Sequence, residues 1–117
     1  MNKRLKTYLR PLRRSSGLTQ RELAYLIGRK DGSCISRVER FERVPTLVWT
    51  RACTLVFGTR AFEIFPELFA EVREGVLYRA NDLYEQLQGN PSKAARAKLD
   101  FLEELLIRLE RERADAV

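Results

Sequence analysis

The chain has 117 residues, no histidine, two cysteines and a formal net charge of +6. This length suits one domain, or a compact head followed by an elongated tail. Without histidine, Ser-His and Cys-His nucleophiles, HExxH zinc sites and Cys/His zinc fingers are excluded, and no glycine-rich phosphate-binding motif occurs. We therefore expect that the chain is not an enzyme and that it uses no cofactor and no metal.

No apolar run reaches the ~18 residues that a transmembrane helix needs, and MNKRLKTYLR at the N-terminus lacks the apolar middle of a secretory signal. A cytoplasmic protein without membrane partners is the expectation.

The positive charge is concentrated in the first half of the chain. Residues 1–60 hold 14 Lys and Arg against 4 Asp and Glu, a net +10, whereas residues 61–117 hold 8 against 12, a net −4. Such an excess exceeds what solubility needs and indicates an anionic polymer as partner. A membrane surface is the weaker alternative, because the basic residues are spread over several short helices.

The first predicted helix covers residues 3–15, where leucines recur at helical spacing among basic residues. Pro11 disfavours a helix interior, so we expect the regular helix to start near Pro11, with Leu9 or Arg10 outside it. The apolar positions are Leu5, Leu9 and Leu12, and the basic ones are Lys3, Arg4, Lys6, Arg10, Arg13 and Arg14.

Residues 19–39 predict two short helices joined by a turn. Thr19 and Glu22 have the spacing of a capping box, and Gly28 follows the last apolar residue, where a left-handed residue ends a helix most cheaply. Gly32 and Ser33 then begin a second helix. The predicted buried residues of the pair are Leu23, Ala24, Ile27, Ile35 and Val38.

The second of these helices turns short polar groups and guanidinium groups outward, a combination that suits base edges and phosphates. The outward residues are Ser33, Cys34, Ser36, Arg37 and Arg40.

A fourth helix begins after the cap residue Thr46 and ends at Gly58. Its predicted buried stripe consists of Leu47, Val48, Ala52, Leu55 and Val56. Trp49 is interpreted as core or edge packing rather than as a ligand-stacking residue, and Cys53 as ordinary core.

The remaining residues predict a short fifth helix over 60–65, a sixth from Pro66 to about Gln88, and a seventh after the turn at residues 89–92. Gly75 weakens the sixth helix and marks a point where it could kink. The sixth helix has the apolar stripe Phe69, Val72, Val76, Ala80, Leu83 and Leu87. The seventh has a heptad seam of Ala95, Leu99, Leu102, Leu106, Leu109, Arg113 and Ala116, which Leu105 widens.

The short connection between these two helices predicts that they pack antiparallel within the chain. Because the second stripe is broader than one partner helix needs, we also expect a homodimer, formed through Leu99, Leu102, Leu106 and Leu109.

The segment from Leu9 to Phe65, about half of the chain, resembles the lambda-repressor-like, or Cro-like, helix-turn-helix family of bacterial and phage transcription regulators. The resemblance depends on a set of residues that is specific only in combination. The set is Leu12-Arg13, Gly17-Leu18-Thr19-Gln20, Glu22-Leu23-Ala24, Gly28, Ile35-Ser36-Arg37, Glu39, Pro45 and Phe57-Gly58.

The resemblance implies that the third helix enters the major groove of double-stranded operator DNA. Ser33, Cys34, Ser36, Arg37 and Arg40 would then contact bases. Together with the basic residues near by, it implies a second set that contacts phosphates: Thr19, Gln20, Arg21, Arg29, Lys30 and Arg43. Glu39 would have the structural role of accepting backbone hydrogen bonds from the loop that follows it.

Two features depart from the family pattern. Gly28 and Ile35 are separated by seven steps where the family has six, so residues 29–32 hold one extra residue before the third helix. Phe41 replaces a glycine that commonly ends that helix in the left-handed conformation.

The sequence thus predicts an all-α protein. Residues 1–65 would form a five-helix lambda-repressor-like head that binds DNA, and residues 66–117 a helical hairpin or dimerisation tail. The expected function is that of a dimeric repressor, located at the nucleoid when bound to DNA.

Two alternatives for the function stay open. One is an antitoxin that represses its own operon and binds a toxin through the C-terminal helices, and the other is a helical interaction module that binds no DNA. For Cys34, a redox-sensing thiol is the alternative to a small half-buried residue.

Overall fold

A computed structural model describes residues 5–116; the predictions for Lys3 and Arg4 lie outside this range. The described part of the chain contains α-helices and no strand, so the predicted all-α class is confirmed. The helices are α1 (Leu9–Ser15), α2 (Gln20–Leu26), α3 (Ser33–Glu39), α4 (Leu47–Phe57), α5 (Ala61–Ile64), α6 (Pro66–Leu87) and α7 (Lys93–Asp115). Between residues 5 and 116, no helix is both long and apolar enough to cross a membrane.

The chain divides into two compact units, Met1–Phe69 and Ala70–Val117. The division falls inside α6, between Phe69 and Ala70. The boundary predicted from the sequence lies four residues earlier, between Phe65 and Pro66.

In the first unit, three successive helices end in the same way. After α1, α2 and α3 comes a residue with positive φ, and its N–H group and that of the next residue both donate to carbonyls of the last turn, as in a Schellman motif. The residue is Gly17 (φ 77°), Gly28 (φ 85°) and then Phe41 (φ 51°). Phe41 therefore adopts the left-handed conformation without being glycine, and its side chain is buried.

The core of the first unit lies between α1, α2, α3, α4 and α5. Trp49 and Phe65 meet there with ring centroids 6.5 Å apart and planes inclined by 50°. The interpretation of Trp49 and Cys53 as core is confirmed. The buried cluster is made of Leu9, Leu23, Ala24, Ile27, Ile35, Val38, Trp49, Cys53, Ile64 and Phe65.

One prediction for the first unit is wrong, and a second is wrong in part. Helix α1 begins at Leu9, not near Pro11, because Pro11 falls in the first turn, where a backbone N–H has no acceptor within the helix.

The stripe predicted for α4 is right at Ala52 and Val56, which are half-buried against the core. Leu47 and Val48, however, are 86% and 77% exposed, and Leu55 is exposed as well. The buried residues of this helix are Trp49 and Cys53. Both faces of α4 carry apolar residues, so periodicity alone could not select the inner one.

In the second unit, α6 and α7 form an antiparallel hairpin. The Tyr84 hydroxyl donates to Glu103 at 2.9 Å, and the Arg113 guanidinium donates through Nε to Glu74 at 3.0 Å. Because later residues of α6 pair with earlier residues of α7, the predicted packing within the chain is confirmed. The side chain of Ser92 caps α7 by accepting from the N–H of Ala95.

The predicted stripe of α6 is wrong in part, since its buried residues are Leu77 and Ala80, while Phe69, Val72 and Leu83 are between 44% and 56% exposed. The helix continues through Gly75.

Candidate nucleic-acid interface

Hydrogen bonds fix both ends of helix α2. The hydroxyl of Thr19 accepts from the N–H of Glu22 at 3.0 Å, and the carboxylate of Glu22 accepts from the N–H of Thr19 at 2.9 Å. The predicted capping box is therefore present. At the other end of α2, the N–H of Arg29 donates to the carbonyl of Ala24 at 2.7 Å.

Asp31, in the turn between α2 and α3, takes part in starting α3. The Oδ1 atom of Asp31 accepts from the N–H of Ser33 at 2.8 Å and from its hydroxyl at 2.5 Å. These two bonds lower the pKa of Asp31 below its usual value, burial acts the other way, and the charge of Arg37 makes the smallest contribution, which also lowers it. Helix α3 begins at Ser33, and Asp31 supplies the side-chain cap that Gly32 cannot.

Gly32 permits the turn to lie directly against the start of α2. A Cβ atom at this position would stand 3.0 Å from Cβ of Gln20 and 3.1 Å from the backbone nitrogen of Arg21. The backbone φ of −81° is one that any residue adopts, so close approach rather than conformation calls for glycine here.

Helix α3 buries Ile35 and Val38 and turns its other side outward. Ser33 and Arg37 are exposed, and Ser36 is half-buried. The hydroxyl hydrogen of Ser33 is already donated to Asp31, so this side chain offers a base only its lone pairs.

The other two predicted base contacts are less favourably placed. Cys34 is half-buried against the core, and its thiol donates to the carbonyl of Asp31 at 3.5 Å. Arg40 follows the last turn of α3 and forms an ion pair with Glu42 at 3.1 Å. At 1.5 Å per residue, Arg40 lies about 10 Å along the helix from Ser33, at the end farther from the turn.

Glu39 joins all three helices through side chains. Its carboxylate accepts from Nε of Arg13 on α1 at 2.6 Å and from Nε2 of Gln20 on α2 at 3.0 Å, and Nε of Arg10 lies 3.5 Å away. The side chains of Glu39 and Arg13 are 1% and 9% exposed. The sequence predicts that Glu39 accepts hydrogen bonds from N–H groups of the following loop. Its carboxylate instead accepts from side chains of α1 and α2.

The charge of this cluster is stabilised by its donors. Burial acts to raise the pKa of Glu39, but the hydrogen bonds from Arg13 and Gln20 and the charges of Arg13 and Arg10 outweigh burial, so the pKa lies below its usual value. The nearby Arg13 guanidinium also donates to the carbonyl of Leu18 at 2.9 Å, which secures the segment that precedes α2.

The predicted phosphate-contacting residues fall into two groups. The Thr19 hydroxyl accepts from Glu22 and the Gln20 amide donates one hydrogen to Glu39, so each side chain is held in place but keeps one donor hydrogen. The other four are exposed, and their side chains enter none of the hydrogen bonds or ion pairs formed among residues 5–116. These are Arg21, Arg29, Lys30 and Arg43.

The leucines predicted to form a dimer have neighbours inside their own chain. Leu102 is 5% exposed in the α6/α7 hairpin, and Leu99, Leu106 and Leu109 are half-buried. The fully outward apolar side chains of α7 are instead Phe101 and Ile107, each 59% exposed.

Sequence reasoning missed the burial of Arg13 and the capping role of Asp31. Arg13 stands four residues after the buried Leu9, hence on the same helical face, and this spacing was the available signal. For Asp31, the signal was an aspartate two residues before a serine at a helix start.

Comparisons with protein-family models, with curated proteins and with solved structures find no match to this chain.

Proposed function

We propose that this protein is a sequence-specific DNA-binding transcriptional regulator, a repressor that acts as a dimer and reads the major groove with α3. The observation that carries the proposal is the set of exposed side chains on α2, the turn, α3 and the loop that follows α3. Five cationic side chains there are exposed and unengaged by hydrogen bonds or ion pairs with residues 5–116, while the helices beneath them are fixed by caps and by Glu39. The five are Arg21, Arg29, Lys30, Arg37 and Arg43.

The roles divide by position. Arg37 is the exposed guanidinium of α3, and it suits two-pronged hydrogen bonding to a guanine edge. Arg21, Arg29, Lys30 and Arg43 suit phosphates, which orient a protein on the duplex but carry no sequence information. Gln20 donates one amide hydrogen to Glu39, so its second amide N–H and its carbonyl oxygen are left for other contacts.

The test is selection of binding sites from random duplexes, followed by fluorescence anisotropy at several salt concentrations. Binding should weaken steeply as salt rises, because each neutralised phosphate contributes a slope of about −0.9 in log K against log salt. Affinity that is weak and independent of salt would contradict the proposal and would favour an interaction module that binds no DNA.

Dimerisation is proposed through the outer side of the hairpin, since its inner leucines already pack within the chain. Phe101 is 59% exposed and Leu83 is 45% exposed, and burying such side chains on association contributes about 1.5–3 kcal/mol each. Molar mass from light scattering should be that of a dimer for the wild type and that of a monomer for Phe101→Glu. An equal substitution at the polar Gln86, which is also exposed, is the control.

The same exposed side chains favour the second candidate, an antitoxin whose hairpin holds a toxin. A monomeric wild-type protein that forms a stoichiometric complex with a different protein encoded beside it would favour this candidate over the dimeric repressor.

A further inference from the structure

Asp31 is a carboxylate in a part of the chain that is otherwise basic. Between Glu22 and Glu39 it is the only acidic residue, and Arg29 and Lys30 precede it directly. Its side chain is exposed. A negative charge at this place weakens phosphate binding, and the cap of α3 does not require it, because an uncharged asparagine or serine caps a helix about as well.

The carboxylate is fixed in position. Its Oδ1 atom accepts both the N–H and the hydroxyl of Ser33, and none of the hydrogen bonds and ion pairs among residues 5–116 uses Oδ2. The turn that carries it lies close against α2, since a Cβ atom at Gly32 would stand only 3.0 Å from Cβ of Gln20. A fixed acceptor loses little conformational entropy when it binds, which favours specific recognition.

Arg37 lies four residues after Ser33 on α3, hence on the same face of the helix as the residue that Asp31 holds. The two side chains present a cationic donor and an anionic acceptor on one exposed surface. In the major groove, arginine pairs with guanine O6 and N7, and a carboxylate accepts from the amino group N4 of cytosine. The phosphates repel a carboxylate, so the base edge is the only part of the duplex that Asp31 can contact favourably.

We infer that Asp31 is a specificity-determining residue of the proposed interface, whose free Oδ2 atom accepts a hydrogen bond from a cytosine amino group next to the base pair read by Arg37. This inference rests on the proposed function. It gives the charge of Asp31 a role besides the cap, since the turn places an acceptor ahead of the first residue of α3.

The test uses Asp31→Asn, which keeps an Oδ1 acceptor for Ser33 but replaces the free oxygen with an amino donor and removes the charge. Sites are selected with wild type and variant, and affinities are then measured on duplexes that differ at one base pair. Wild type should prefer cytosine at one position by about tenfold. The variant should lose this preference at that position only, and thermal unfolding should show that it is still folded at the temperature of the binding measurements.

Asp31→Ser is the second variant, since serine also caps helices but offers no group of this reach. It should lose the cytosine preference as well. If both variants keep the base preferences of the wild type, or gain affinity equally for all duplexes, Asp31 is only a cap and the inference is wrong. Failure of the wild type to bind any duplex would instead overturn the proposed function itself.

Discussion

The Arg13 guanidinium donates to the Glu39 carboxylate across 2.6 Å, and both side chains are almost completely withdrawn from solvent. Arg13 lies on α1 and Glu39 at the last residue of α3, and Gln20 of α2 donates to the same carboxylate. One acidic group thus fixes the positions of three helices. Removal of either charge leaves the other buried without its partner, which is more costly than the net contribution of the intact pair.

Arg13→Met should destabilise the first unit by about 3 kcal/mol, because the Glu39 carboxylate would lose its main donor while remaining buried. Arg14→Met is the matched control, since Arg14 is exposed on the same helix, and surface changes usually stay within about 0.5 kcal/mol. Urea unfolding followed by circular dichroism measures both. Equal midpoints for the two variants would contradict the assigned role of Arg13.

Stability should decrease as the pH falls below the usual glutamate value of about 4.3. The pKa of Glu39 is lower in the folded chain than in the unfolded chain, so the folded state binds fewer protons over this range. The resulting stabilisation is complete above the unfolded value and disappears as the pH falls through the folded one. Asp31 and Glu74, whose pKa values hydrogen bonds also lower, add contributions of the same sign.

Glu39→Gln should therefore reduce the loss of stability between pH 6 and about pH 3, without abolishing it. Unfolding midpoints measured at several pH values for both proteins provide the comparison. A variant whose midpoint falls as steeply as that of the wild type would show that Glu39 does not contribute.

Gly28→Ala and Gly75→Ala should change stability in opposite directions. At Gly28 the φ of 85° makes any side chain strained, at a cost of about 1 kcal/mol even though the space is open. Gly75 lies inside α6, where alanine in place of glycine stabilises the helix by about 1 kcal/mol. The methyl group of the alanine would meet only the flexible end of the Arg79 side chain. Thermal unfolding measures both, and a destabilised Gly75→Ala would mean that the guanidinium of Arg79 cannot move aside.

The local signals in the sequence predicted the ends of helices well. Thr19, Thr46 and Ser92 cap α2, α4 and α7, and Gly58 ends α4 in the left-handed conformation, because these interactions span only a few residues. The left-handed residue after α3 is also present, but Phe41 adopts it.

The faces of helices were harder to predict. In α4, Leu47 and Val48 fit a helical stripe as well as Trp49 and Cys53 do, and only packing against the other helices decides between them. Arg13 could not be assigned to its partner because Glu39 lies 26 residues further along the chain. Contacts at such distances depend on the whole fold, which periodicity does not describe.

The central proposal, that α3 reads DNA, is tested most directly by one comparison of matched arginine variants on a selected duplex and on its scrambled version. Arg37→Ala should lose most of the discrimination between the two duplexes, on the order of 1–3 kcal/mol. Arg43→Ala should weaken binding to both about equally and reduce the salt slope by about 1. Arg51→Ala, which removes the same charge from the outer face of α4, should change neither. If Arg37→Ala keeps the full discrimination while Arg51→Ala or Arg43→Ala loses it, α3 is not the helix that reads the sequence.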